Sequence, residues 1–126
     1  MMLSKLVLLG CFSLFLAASV SAKVVFFSNR DGKNNLYVMD DDGNNVKKIT
    51  DNGAVNTQPR WSPDGKYIAF MRRLEEFGKR QYDVFLMAAD GGNERRLTHH
   101  PAFDGGYLTW SPDGRHIAFA SHRTGT

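Results

Sequence analysis

Along this chain, hydrophobic residues come in runs of four or five, cut apart by clusters of Gly, Asn, Asp and Pro. The first run is Val24-Val25-Phe26-Phe27-Ser28, and the polar cluster Asn29–Asn35 ends it. Leu36-Tyr37-Val38-Met39 follows, then Asp40–Asn45, then Val46-Lys47-Lys48-Ile49-Thr50. Short runs rich in β-branched and aromatic side chains and bounded by turn formers predict strands. After a polar connection from Asp51 to Gln58, the same order returns. Strands are expected ending at Trp61 and over about 67–71, 82–88 and 94–98. A third round opens with Tyr107-Leu108-Thr109-Trp110 and runs on through Ile117-Ala118-Phe119-Ala120-Ser121. Outside the first 22 residues, no stretch places apolar residues at helical spacing.

The recurrence is close. Trp61-Ser62-Pro63-Asp64-Gly65-Lys66-Tyr67-Ile68-Ala69-Phe70 returns 49 residues later as Trp110-Ser111-Pro112-Asp113-Gly114-Arg115-His116-Ile117-Ala118-Phe119. In each copy the Pro presets φ for the first corner of a turn, the Asp can bond its own backbone, and the Gly takes a φ > 0 corner. A hairpin repeated at a period of 40–50 residues marks a repeat architecture, and four short strands per period with one Trp each describe a propeller blade. With strands lettered A to D from the hub outward, the chain reads BCD, ABCD, AB. The expected fold is therefore all-β: four-stranded antiparallel blades of an incomplete β-propeller, preceded by a signal peptide.

Leu36-Tyr37-Val38-Met39-Asp40-Asp41-Asp42-Gly43, Lys48-Ile49-Thr50 and Trp61-Ser62-Pro63-Asp64-Gly65-Lys66 together resemble the WD-repeat-like β-propeller repeat of the TolB family. The resemblance covers Val24–Arg123. A sialidase-type Asp-box places its Trp after the Asp and Gly, whereas here it precedes the Ser. TolB proper carries a separate α/β domain ahead of its blades, and here strands begin directly after the leader. The resemblance implies a periplasmic interaction platform that binds a protein or cell-envelope component. It also implies more blades than these, so a continuation beyond Thr126 is expected. Closure by oligomerisation is the alternative, and open blade edges would favour self-association.

Residues 1–22 have the form of a leader. One charge (Lys5) precedes an apolar run from Leu6 to Val20, and Val20-Ser21-Ala22 fits the small-x-small rule for cleavage after Ala22. The run is short for a membrane span of about 20 residues, so no stable span is expected after cleavage. Leu8-Leu9-Gly10-Cys11 is a poor lipoprotein box, because the apolar run continues past Cys11. The expected location is periplasmic or secreted, with residues 23–126 forming the propeller repeats. Without the leader, 15 basic face 13 acidic side chains, a net +2 that gives no argument for nucleic acid. The only cysteine leaves with the leader, so the exported part would rely on core burial, with no disulfide.

Catalytic patterns are missing: there is no Gly-x-Ser-x-Gly elbow, phosphate-cradling loop or His-Glu-x-x-His. Asp40–Asn45 lacks the sixth-position Gly and twelfth-position Glu of a calcium loop, and its carboxylates do not recur in the second round. His99 and His100 are adjacent and would point apart, so no metal and no cofactor is expected. Trp61, Pro63, Asp64, Gly65, Trp110, Pro112, Asp113 and Gly114 read as structural.

The two rounds differ in length only at the B–C and D–A connections. These emerge on one face of an up-down blade, and loops that vary over a fixed scaffold are where binding usually resides. Arg30, Arg72, Arg73, Phe77, Arg80, His99, Phe103 and Arg123 are the candidate binding residues on that face. The leading expectation is a non-enzymatic binding module. The alternative is the propeller of a prolyl-oligopeptidase-type serine peptidase, whose repeats are similar and whose hydrolase part would lie downstream. A sugar-acting propeller using Arg60 and His99 rests on fold analogy alone.

Overall fold

The structure, a computed structural model, describes residues 22–76 and 78–123. The leader up to residue 21 and Phe77 lie outside the described residues. Nine strands follow one another: β1 (Lys23–Ser28), β2 (Asn35–Asp40), β3 (Lys47–Lys48), β4 (Asn56–Trp61), β5 (Tyr67–Glu76), β6 (Lys79–Ala88), β7 (Arg95–Arg96), β8 (Asp104–Trp110) and β9 (Ile117–Ser121). They form three antiparallel sheets in the orders β1-β2-β3, β4-β5-β6-β7 and β8-β9. These are the BCD, ABCD and AB blades of the sequence pattern, here blades 1, 2 and 3.

The sheets stack face to face, because each strand alternates side chains between two buried faces. On one face of blade 2, Ile68, Phe70, Phe85 and Met87 pack with Leu36 and Val38 of blade 1, and Trp61 and Ile49 close the edge. On the other face, Ala69, Met71, Val84 and Leu86 pack with Leu108 of blade 3, flanked by Trp110 and Phe119. Blade 2 is thus buried on both sides, and Ile68, Ala69 and Phe70 are wholly inaccessible. The A strands β4 and β8 touch, whereas the outermost strands β3 and β7 do not. Inner strands converge and outer strands splay, which is the wedge of a propeller.

One element departs from the expected boundaries. The B–C connection of blade 2 is not a longer loop. β5 and β6 each run ten residues and stay in register to Glu76 opposite Lys79. The six-residue strands β1 and β2 leave a six-residue connection, whereas here β5 ends at Glu76 and β6 starts at Lys79, with Gly78 at φ +68°. The four extra residues lengthen the ladder, because Gln81 finds a buried and Leu74 a half-buried position on it and Glu75 and Glu76 oppose Arg80 and Lys79. The D strands are shorter than expected, two residues each, although Ile49 N–H and Leu97 N–H still donate to Leu36 and Val84 carbonyls.

The Ser-Pro-Asp-Gly turns are built alike. Ser62 Oγ donates to Asp64 Oδ1 at 2.6 Å and accepts Tyr67 N–H at 3.0 Å, and Ser111 does the same with Asp113 and His116 at 2.5 and 2.9 Å. These serine hydrogen bonds hold both Asp carboxyls below the usual carboxylate range. Gly65 and Gly114 sit at φ +69° and +70°, where a side chain would be strained.

Candidate functional site

Backbone contacts divide the connections between two faces. Asn56 N–H donates to Asn34 O at 2.9 Å, Lys33 Nζ to Gly53 O at 2.6 Å and His122 N–H to Phe103 O at 3.0 Å. These bonds tie B–C to D–A segments. On the other face Ala89 N–H donates to Lys66 O and Asp41 N–H to Ala22 O, joining the A–B and C–D turns. There Asp40 bonds Lys23 and Asn45, and Asp42 bonds Asn44, so the acidic run serves its turn.

Beneath the B–C/D–A face lies a row of ion pairs, each with one buried member, Arg72, Asp83 or Asp104. Arg72, nominated from sequence as a binding residue, is not at the surface: its side chain is 9% exposed. It lies over the Phe70 and Phe85 rings, donates to Asn56 Oδ1 at 2.7 Å and pairs with Glu94. An arginine on a strand facing the neighbouring blade is desolvated by the stacking itself, and a partner acid makes that tolerable. Arg96 bridges Asp83, wholly buried, and Glu76, bonded at 2.9 and 3.0 Å, and also donates to Thr98 O at 2.8 Å. Burial raises the Asp83 carboxyl above the usual range, against the pull of Arg96. In blade 3, Arg123 Nη2 and Ser121 Oγ donate to Asp104 at 2.5 and 2.6 Å. Burial is the largest single influence on Asp104 and pushes it up, but Arg123 and Ser121 together hold it below the usual range.

Above this row, a groove of about 310 Å³ opens between Phe27, Gln58, Met71, Tyr82, Phe103 and Gly106. Tyr82 meets Phe103 edge-on at 5.6 Å, and Phe103 lies tilted against His122 at 5.3 Å. Gln58, at φ +51°, and Gly106 lie where β4 and β8 bulge against their partners, which brings the inner strands into the groove wall.

The structure therefore brings Phe103 and Arg123 together and sets them apart from Arg30, on blade 1. Arg30 lies over Phe26 and Tyr37, with Nε 3.2 Å from Ser28 Oγ. Arg73 is half-buried opposite Tyr82, and Arg80 is exposed beside Glu75 at 3.7 Å. His99 is exposed, while His100 Nδ1 accepts Ala102 N–H at 3.1 Å. Asp83, Arg96, Glu76, Asp104 and Gln58 were missed from sequence. Arg96 could have been found, because strand alternation sends one member of Arg95-Arg96 inward and an inward Arg requires an acid.

Converging inner strands, splayed outer strands and side chains interdigitated between successive sheets define a β-propeller protein. The chain belongs to the family of the tricorn protease N-terminal beta propeller domain, which matches residues 13–126. It is 37% identical over 49 residues to the Tol-Pal system protein TolB of Desulfosudis oleivorans, covering 39% of this chain and 11% of that protein. It is 42% identical over 48 residues to the protein TolB homolog of Chlorobaculum tepidum, covering 38% and 11%. The putative TolB structure from Agrobacterium tumefaciens aligns at TM-score 0.67 and 27% identity over 79% of this chain and 34% of that one. The matches thus span 11% of those curated relatives and about a third of the solved chain. The TolB-like propeller repeat read from the sequence is present.

Proposed function

We infer that this chain is an exported, non-enzymatic binding module that docks a protein or cell-envelope component through the B–C/D–A face. The observation that carries it is the groove beside Phe103: an aromatic cluster of Tyr82, Phe103 and His122, on the face where the connections vary in length between rounds. Aromatic and Arg side chains in a partly enclosed groove are the composition of an interface core. Arg73, Arg80 and His99 extend the same face, and Phe77, which lies outside the described residues, remains a candidate there. Arg72 acts from beneath, by fixing β5 against Asn56 and Glu94. The relatives' name supports an envelope partner of the Tol-Pal type, and the form of residues 1–22 supports export to the periplasm with cleavage after Ala22. No observation favours the peptidase alternative over this reading.

The test is surface-plasmon binding of the full-length secreted chain to the Tol-Pal components of its own organism. Phe103→Ala and Arg80→Ala should weaken binding at least tenfold in combination. Asp41→Ala with Lys66→Ala, on the opposite face, should leave it unchanged. The reverse pattern puts the function on the wrong face.

A further inference from the structure

The D–A connection between β3 and β4 contains Asn52-Gly53, the one place in the sequence where Gly follows Asn. Both residues are exposed. The amide carbon of an Asn side chain lies one ring closure from the main-chain nitrogen of the next residue. That closure gives a five-membered cyclic imide, and a side chain on the next residue normally crowds the nitrogen and slows it. The other Asn residues precede Arg, Asn, Leu, Val, Thr or Glu. At Gly53 a Cβ would meet nothing within 4 Å, so the surroundings are as open as the residue itself. Gly53 N–H makes no hydrogen bond among the described residues, whereas its carbonyl accepts Lys33 Nζ at 2.6 Å. The nucleophile is therefore unshielded and uncommitted.

The electrophile, by contrast, is held. Asn52 Oδ1 accepts Ala54 N–H at 3.1 Å and Asn56 Nδ2 at 3.2 Å. Asn56 is wholly buried, and its Oδ1 is fixed by Arg72 Nε at 2.7 Å. Two donors on Oδ1 orient the amide and stabilise the negative charge this oxygen gains when its carbon is attacked. The repeat supplies the comparison. In the next D–A connection His100 Nδ1 accepts Ala102 N–H at 3.1 Å, the same bond from a side chain to the N–H two residues on. There the pair is His100-Pro101, with no side-chain amide to be attacked and no main-chain N–H to attack it. The connection thus needs an acceptor at this place, and Asn-Gly is not required for it.

We propose that Asn52-Gly53 is a self-modification site, at which the chain converts Asn52 to aspartate and isoaspartate without an enzyme. Gly53 N gives its proton to hydroxide and attacks Asn52 Cγ; the N–Cγ bond forms and the carbonyl π pair moves onto Oδ1. That pair returns as the Cγ–Nδ2 bond breaks, and Nδ2 takes a proton from water and leaves as ammonia. Water then opens the imide. Attack at Cγ gives aspartate, and attack at the main-chain carbonyl carbon gives isoaspartate, linked onward through Cγ. The sum is amide plus water to carboxylate plus ammonium, with no oxidant or reductant. Aspartate at this position keeps both donors and adds a charge to them. Isoaspartate lengthens the main chain by one atom, which draws Gly53 O off Lys33 and loosens the tie between the B–C and D–A connections.

The test incubates the full chain in mildly alkaline buffer at body temperature and follows its tryptic peptides by mass spectrometry. The peptide Ile49–Arg60 should gain the mass of an amide-to-acid conversion about tenfold or more faster than any other Asn-containing peptide, with fragment ions placing it at Asn52 and not Asn56. An isoaspartyl methyltransferase should label the same peptide, and free ammonia should rise in step. Asn52→Ser keeps an acceptor oxygen for Ala54 N–H and has no amide, so it should abolish the label and melt like the parent. The same incubation in urea separates the turn from the dipeptide: the folded rate should equal or exceed the unfolded one. An unchanged Ile49–Arg60 while other Asn peptides convert, or label that survives Asn52→Ser, would overturn the proposal. So would a folded rate about tenfold below the unfolded one, which makes the turn a shield.

Discussion

Replacing Arg96 with Ala should be among the most damaging single changes in blade 2. Its guanidinium is the cation facing Asp83, whose side chain is wholly buried, and it binds Glu76 through two further bonds. Removing one member of a buried pair costs about 3–5 kcal/mol, because the other is left charged and unpaired. Glu76 is 37% exposed and can rehydrate, so its lost bonds add about 1 kcal/mol at most. A domain of this size has about 5–15 kcal/mol in total. With a urea slope of about 1–2 kcal/mol/M, the midpoint should fall by about 2 M. The assay is urea unfolding followed by circular dichroism and by fluorescence of Trp61 and Trp110. Burial already raises the Asp83 carboxyl, and without Arg96 it rises further, so protonation relieves the lesion: the loss should be smaller at pH 5 than at pH 8. Combining Arg96→Met with Asp83→Leu should recover most of the loss. A cost below about 1 kcal/mol, or a double variant as damaged as the sum of its parts, would refute the reasoning.

Phe70→Ala should cost about 3–5 kcal/mol, because Phe70 is wholly enclosed between blades 1 and 2, whereas the equivalent Phe26→Ala, on a strand with one ladder partner, should cost less than half as much; thermal melts of both variants decide. The lowered carboxyls of Asp104, Asp64 and Asp113 contribute stability that is present above the ordinary value of 3.8 and lost as pH falls through their folded values. The raised Asp83 acts in the opposite sense, so Asp104→Asn should flatten the acid limb of a stability profile and Asp83→Asn should steepen it; identical limbs would contradict both assignments. Self-association through the second edge of β9, which carries no ladder partner among the described residues, should make the chain sediment as concentration-dependent oligomers. A monodisperse monomer across a hundredfold range of concentration would refute it.

Much of the architecture was legible because it is local and repeated. Pro63-Asp64-Gly65 and Pro112-Asp113-Gly114 specify their turns with their own atoms, and a strand of period two declares its faces in Ile68, Ala69, Phe70 and Met71. The extent of β5 and β6 was not legible. Leu74–Gln81 reads as a polar connection, and only the opposed charges across the hairpin and the burial of Gln81 make it a ladder. The candidate site was legible in part. Phe103 and Arg123 were nominated and lie close together, Arg123 binding Asp104 next to Phe103, but Arg72 was placed on the wrong side of the surface. A sequence states that an arginine is present. Whether it faces water or the next blade depends on where Glu94 and Asn56 arrive, 22 and 16 residues away.

The sequence by itself therefore determined the blade: its strands, its turns and the alternation that makes both faces apolar. Only the tertiary structure decided what each blade lacks or shares. Stacking makes the environment of a side chain depend on the neighbouring repeat, so equivalent residues meet unequal fates: Trp110 finds its carbonyl on blade 2, whereas the buried Nε1 of Trp61, with the same motif, finds none among the described residues.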